Sequence, residues 1–405
     1  MISIGKPVIE QKDDKIYFKA FVTNDTEKKN EWMWFATNVE YGQYFTEDHA
    51  DAFVLPMILR AVKTQQDIKV DSSMSEKLYY HLNDSVFSLV NYAYEKKNGK
   101  RNGKKIKLYC DKLISTNCSP QAVGTGCSLG VDSFTELKKH VLSEDCPPSY
   151  KITHLTLFNA GAFGANEAAR QSFYKEIQKT ENFTKEIGLP LIWVDSNIRE
   201  FFPEFSFNWC HTYLNMAIVL SMQKLWKKYF YASGYSAEYF KFDIRDSAFY
   251  EPYLLPHLST ESTELISGSM TLRRSKKIEY IADDPIVQKH LYVCLKEQIL
   301  NNPRSIHRYY GDFLNCGMCE KCLRTMLQLD ILGVLDDFKN IFDLSKWPEL
   351  KLEYITKVII FRESDLMYHD LYLSMKEHNY PIPSKVKIDA KIMELKGKLK
   401  RKLFR

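Results

Sequence analysis

The sequence predicts an α/β protein, a parallel sheet with helices on both faces, flanked by an N-terminal α+β domain and a mostly helical C-terminal region. Three observations carry this. From Ala122 onward the short apolar runs AVGTGC, ITHLTLFNA, LPLIWVDSN and KKYFYASG each give way to a helical stretch, the alternation that builds parallel sheets. Before them, KIYFKAFV and NEWMWFATNVEY alternate as strands do, and ADAFVLPMILRAVK turns helical ahead of the Lys- and Gly-rich turn KKNGKRNGKK. After Asp336 the chain becomes charged and mostly helical, with VIIF at 358–361 as a strand. The expected boundaries are 1–118, 119–335 and 336–405.

A chain of 405 residues exceeds one ordinary core, and 45% hydrophobic with 14% aromatic residues describe a folded protein. The sequence has no apolar run of about 18 residues and opens without the blocks of a secretory signal, so a cytoplasmic protein is expected. A net charge of +5 over this length is too dilute to favour nucleic acid as a partner. The basic excess concentrates in 385–405, where nine Lys or Arg face Asp389 and Glu394, and Leu395, Leu399 and Leu403 recur at near-helical spacing. This tail reads as a solvated helix, with contact to a membrane surface or an acidic partner as the alternative. The sequence does not indicate an oligomeric state.

The first parallel strand runs through Cys127 into Ser128, Leu129, Gly130, Val131, Asp132 and Ser133, then into a helix with Phe134, Leu137, Val141 and Leu142 on one face. A loop between a strand and a helix start aims free NH groups and the positive helix end at one point, which suits an anion. Gly130 allows close approach of a phosphate and can take positive φ, while Ser128 and Ser133 offer hydroxyl donors. Asp132 is assigned to Mg²⁺ or to capping the helix. Ser, Gly and Asp also cap helices with no ligand involved, and the position on the first strand of an α/β run favours nucleotide.

The segment GCSLGVDSF resembles the PP-loop signature S-G-G-x-D-S of the N-type ATP pyrophosphatases, with Leu129 at the family's first glycine and no Walker lysine. The resemblance extends over roughly residues 119 to 330 and implies a Rossmann-like, HUP-type sheet that binds ATP with Mg²⁺. It implies nucleotide contacts from Phe158 and Asn159 after the second strand and from Ser233 and Gly234 after the fourth. In TLRRSKKIEYIAD it implies Arg274 and Lys277 as neutralisers of pyrophosphate, although basic residues at a helix start are commonly solvated.

The string NCGMCEKCLRTM places Cys316, Cys319 and Cys322 in a serial C-x-x-C arrangement, whose turns bring thiolates together around a soft cation. Cys294, the nearest upstream thiol, supplies a fourth ligand from a preceding helix, and structural Zn²⁺ is favoured over an iron–sulfur cluster because such a shell is closed. Cys110, Cys118, Cys127, Cys146 and Cys210 are scattered and read as packed thiols. Loop and cluster together resemble the 7-cyano-7-deazaguanine synthase branch of the superfamily, including Arg324 just after the last cysteine. The long gap from Cys294 to Cys316 and the flanking regions depart from it.

The resemblance implies ATP-dependent adenylation of a carboxylate or amide oxygen of a small molecule, release of pyrophosphate, and capture of the acyl-adenylate by ammonia or an amine. Asp132 and Ser133 then act at the reacting phosphates. Sulfur transfer to a nucleobase through Cys127 or the cluster is one alternative, since the tRNA-thiolating branch carries three-cysteine iron–sulfur clusters; a non-catalytic nucleotide-binding protein is another. His211 reads as a packed or hydrogen-bonded histidine, and Asp195, Glu264 and Asp283 show no spacing that pairs an acid with a base. Substrate recognition is expected in the N-terminal domain and in 232–257.

Overall fold

Eleven strands form one mostly parallel sheet in the computed structural model, which describes residues 1–99, 104–115, 118–295, 311–388 and 390–392. They are β1 (Ile2–Ile4), β2 (Val8–Lys12), β3 (Lys15–Asn24), β4 (Lys29–Asn38), β5 (Ile68–Ser75), β6 (Leu108–Ile114), β7 (Ala122–Gly126), β8 (His154–Phe158), β9 (Leu191–Ser196), β10 (Trp226–Ala232) and β11 (Glu264–Gly268). The order β11-β10-β7-β8-β9 is all parallel and starts from its middle strand, as in a Rossmann-like sheet. The order continues β4-β3-β1-β5-β6, with β2 paired to β3. Strands β7 to β10 match the four apolar runs of the sequence. Strands β1, β2, β5, β6 and β11 were not anticipated.

Helices α1 (Asp51–Thr64), α2 (Glu76–His81), α3 (Phe87–Asn98), α5 (Glu167–Glu186), α6 (Phe207–Ser221) and α7 (Glu251–Leu258) accompany the sheet; α4 (Val131–Leu137), α8 (Arg274–Ile281), α9 (Pro285–His290), α10 (Glu320–Ile331), α11 (Trp347–Phe361) and α12 (Leu366–Glu377) do not. The chain divides into one unit of residues 1–127 with 139–270, and a second of 128–138 with 271–405. The boundary expected near residue 118 lies inside the first unit, and that near 335 inside the second.

The first unit is continuous because β4 pairs antiparallel with β9 through Phe35↔Ser196 and Ala36↔Asp195. So short a seam needs reinforcement. Asn197 provides it, donating from Nδ2 to the Trp32 carbonyl at 2.8 Å and accepting at Oδ1 from the Trp34 NH at 2.9 Å. Beneath the seam a single apolar core runs from Ile2 to Leu265, and α6, apolar nearly all round, is buried against α1.

In the second unit, α8 packs against α4, α10 and α12. Asp370 of α12 accepts the Ser275 NH at 2.7 Å and its hydroxyl at 2.6 Å, which fixes the start of α8. The VIIF run is not a strand; it lies in α11, where Tyr354, Ile355 and Val358 form a buried face at helical spacing. No helix among the described residues is long and apolar enough to cross a membrane. Leu395, Leu399 and Leu403 of the basic tail, with part of the Lys- and Gly-rich turn, lie outside the described residues.

Asn197→Ala leaves the Trp34 NH and the Trp32 carbonyl without their side-chain partners and is expected to cost about 2 kcal/mol. Urea unfolding checks this, and an unchanged midpoint would show that the seam does not depend on Asn197.

Candidate functional site

After β7 the chain passes through buried Cys127 into the loop Ser128–Gly130 and enters α4 at Val131. Leu129 sits at φ +53°, in the left-handed region, while Gly130 is extended at φ −86° and ψ 175°. The positive φ expected of Gly130 therefore falls one residue earlier, where the resembled signature has glycine. A left-handed leucine costs about 1–2 kcal/mol. Burial of its side chain offsets this by a similar roughly 2 kcal/mol, and its carbonyl accepts the Tyr292 NH at 2.8 Å. The Gly130 NH points back to Ser128 Oγ at 3.4 Å, and the Ser133 hydroxyl is buried with no hydrogen-bond partner among the described residues.

Asp132 does not cap α4; it lies within the first turn, with Gly130 at the cap. Its carboxylate accepts from Arg274 Nη1 at 2.7 Å and from Lys277 Nζ at 3.0 Å. Burial pushes its carboxyl upward, but the Arg274 and Lys277 charges outweigh this and hold it below the ordinary carboxylate value. Lys277 is only 1% exposed, contrary to the reading of a solvated helix start, and Arg274 Nε is buried with no acceptor among the described residues.

Lys321 and Arg324 of α10 face the same group. Desolvation, then the neighbouring Arg274 charge, pushes both below their ordinary values, although the Lys321 side chain remains largely exposed. Glu320, the other acid acting on Arg324, is engaged by Lys357 at 2.7 Å and by the Tyr354 hydroxyl at 2.6 Å. The four cations thus surround Asp132 with more positive charge than one carboxylate cancels. A group of this kind, contributed by α4, α8 and α10, can receive an anion.

The ligating atoms of Cys294, Cys316, Cys319 and Cys322 lie within 4.8 Å of one another, and Cys316 and Cys322 Sγ are 3.9 Å apart. A tetrahedral ion with metal–sulfur bonds of about 2.3 Å sets its ligands about 3.8 Å apart, so the cluster could hold a metal such as zinc. Hydrogen bonds from Cys294, and then from Cys319 and Cys322, hold Cys316 far below the ordinary thiol value. The bond from Cys294 likewise brings Cys319 down to about 6, and bonds within the group push Cys294 and Cys322 up. A cation that binds the four sulfurs displaces the remaining thiol protons to solvent. Cys294 lies on an extended segment beyond α9, not on a helix as expected. Gly317, at φ +67°, is required in the knuckle because a Cβ would sit 1.9 Å from the Asp343 carbonyl oxygen.

One residue that the sequence reading passed over organises this region. Asn315 is fully buried; it donates from Nδ2 to the Leu291 carbonyl at 2.8 Å and accepts at Oδ1 from the Val293 NH at 2.8 Å. Its backbone pairs with Ile341 and Asp343. An asparagine directly before C-G-M-C was the available signal. The segment 291–294 thus joins the loop Ser128–Gly130, through Tyr292, to the cysteines.

Family models, curated proteins and solved structures give no match to this chain.

The other expected residues, Asp283 apart, belong to the first unit. Phe158 ends β8, and Asn159 donates from Nδ2 to Asp195 Oδ1 at 2.7 Å. Ser233 donates to the Tyr235 carbonyl at 3.0 Å, and a Cβ on Gly234 would meet nothing within 4 Å. His211 is hydrogen-bonded through both ring nitrogens, to the Tyr231 hydroxyl at 2.7 Å and to Asp246 at 3.3 Å. Asp195 also accepts from Tyr174, Glu264 from Lys228 and Asp283 from Lys138, so none pairs with another acid.

Cys319→Ser is expected to remove bound metal and lower the melting temperature together, since metal binding at such a shell is coupled to folding. Elemental analysis alongside calorimetry checks this. Wild-type protein without metal, melting like the variant, would contradict it.

Proposed function

We propose that this chain is an ATP-using adenylating enzyme of the PP-loop type, acting on a small molecule with a carboxylate or amide oxygen. Pyrophosphate leaves as the acyl-adenylate forms, and ammonia or an amine then displaces AMP. The observation that carries the reading is the Asp132 group, a carboxylate held by Arg274 and Lys277, flanked by Lys321 and Arg324, and set beside a loop whose buried Ser133 hydroxyl lacks a partner.

Attack on the α-phosphate develops charge on the departing pyrophosphate, and fixed cations stabilise it without reorganising. Arg274 and Lys277 are tied to Asp132 in the absence of ligand, which keeps them ordered for phosphate oxygens. Asp132 and nucleotide phosphates would together hold Mg²⁺, which supplies charge neutralisation at the leaving group. Gly130 leaves the loop open for phosphate approach, and Ser128 and Ser133 donate from either side. The protein contributes position and charge and needs no nucleophile of its own.

In the same reading the cysteine shell holds structural Zn²⁺. Four sulfurs within 4.8 Å enclose one ion, whereas a multi-iron cluster seats each thiolate on its own iron and spreads the sulfurs farther.

Arg274→Met keeps the stem and removes the charge. It is expected to weaken ATP affinity about tenfold and to slow pyrophosphate release further, the second effect reporting charge that develops only in the transition state. Calorimetry with ATP, followed by pyrophosphate assays against pooled carboxylates, checks both. ATP affinity equal to wild type in folded Arg274→Met protein would remove the basis of the proposal.

A further inference from the structure

A second constellation lies wholly in the first unit and takes no part in the reading above. A cavity of about 350 Å³ is lined by Thr46, His49, Ser115, Cys118, Gln223 and Lys224, among others. His49 is 4% exposed, and its Nδ1 lies 3.3 Å from Asp51 Oδ2. Asp51 is fully buried and accepts further hydrogen bonds from the Ser75 NH at 2.9 Å, the Ser75 hydroxyl and Gln223 Nε2 at 2.9 Å. The Gln223 amide also lies 3.4 Å from His49 Nδ1, a longer approach than its bond to Asp51.

A carboxylate so placed only accepts, so the His49 proton belongs on Nδ1 and the basic lone pair on Nε2. Nε2 has no hydrogen-bond partner among the described residues, on a side chain that lines the cavity. Cys118 lines the same cavity and is half-buried, with Sγ 3.9 Å from the Gln223 carbonyl. The remaining cysteines do not offer an equivalent thiol: Cys127, Cys146 and Cys210 are buried, four form the metal shell, and burial pushes the Cys110 thiol upward. The charged groups that face His49 are Asp51 behind it and Asp48 and Lys224 in the cavity wall.

We propose that this cavity is a reactive-thiol site, in which Cys118 is the nucleophile, His49 the base that takes its proton and Asp51 the residue that positions His49, and that it accepts small acyl esters or thioesters. The Cys118 S–H proton passes to His49 Nε2 as Sγ bonds to the acyl carbon. The bond from that carbon to the alcohol or thiol breaks, and the leaving group takes the proton from His49. Water attacking the S-acyl cysteine, with His49 again as base, releases the acid and restores the thiol. The volume is at the lower end of ligand pockets, which suits a short acyl group.

The test is labelling of the full chain with iodoacetamide at pH 7.5, mapped by mass spectrometry. Cys118 is expected to react about tenfold faster than Cys110, and His49→Gln to slow Cys118 about tenfold while leaving Cys110 unchanged. Para-nitrophenyl acetate should acetylate Cys118 in wild type and not in His49→Gln. His49→Gln keeps Asp51 anchored by Ser75 and Gln223. Should it nevertheless fail to fold, the wild-type protein alone decides, through the labelling rate of Cys118 against that of Cys110 and through acetylation of Cys118 by the acyl probe. Equal Cys118 labelling in wild type and variant, a wild-type Cys118 no faster than Cys110, or an unmodified Cys118 after the acyl probe would each overturn the proposal.

Discussion

The second unit depends on four residues of extended chain, Leu291 to Cys294, that are hydrogen-bonded on both sides. On one side Tyr292 donates to the carbonyl of Leu129, the residue whose left-handed backbone shapes the loop. On the other, buried Asn315 grips Leu291 and Val293, and Cys294 closes the cysteine shell. A strained loop residue persists only where its surroundings over-determine it. Here they do so through buried leucine, a backbone bond and a segment pinned at the cysteines, so the cysteine cluster and the loop geometry are parts of one structural unit.

Charge balance is the second constraint. Asp132 pairs with Arg274 and Lys277, while desolvation first and the Arg274 charge second depress the affinity of Lys321 and Arg324 for their own protons. Such a group is unfavourable when empty and is relieved by a polyanion. Two neighbouring basic residues are matched, Arg273 by Asp370 and Glu377 and Lys276 by Glu279 and Glu377.

What could be read from the sequence followed the range of the interactions. Strands β7 to β10 announced themselves as apolar runs, whereas ELISG is short and IKVDSSMS carries polar residues on its alternate face. VIIF misled because a β-branched run in isolation does not reveal that Tyr354 and Ile355 continue its face at helical spacing. The joining of β4 to β9 was invisible, since Asn197 and Trp34 are 163 residues apart in the chain. Three cysteines of the shell were plain because their spacing is local, and Cys294 was the nearest remaining thiol. The φ of Leu129, the pairing of Asp132 and the role of Asn315 follow from packing that no local pattern encodes.

The most direct measurement is hydrogen exchange across the full chain before and after the metal is chelated. If the segment 291–294 transmits order from the cysteines to the loop, chelation should speed exchange at the Tyr292, Val293, Gly130 and Phe134 amides together with those of the knuckle. Faster exchange confined to the knuckle, with the Tyr292 and loop amides as protected as before, would contradict the account.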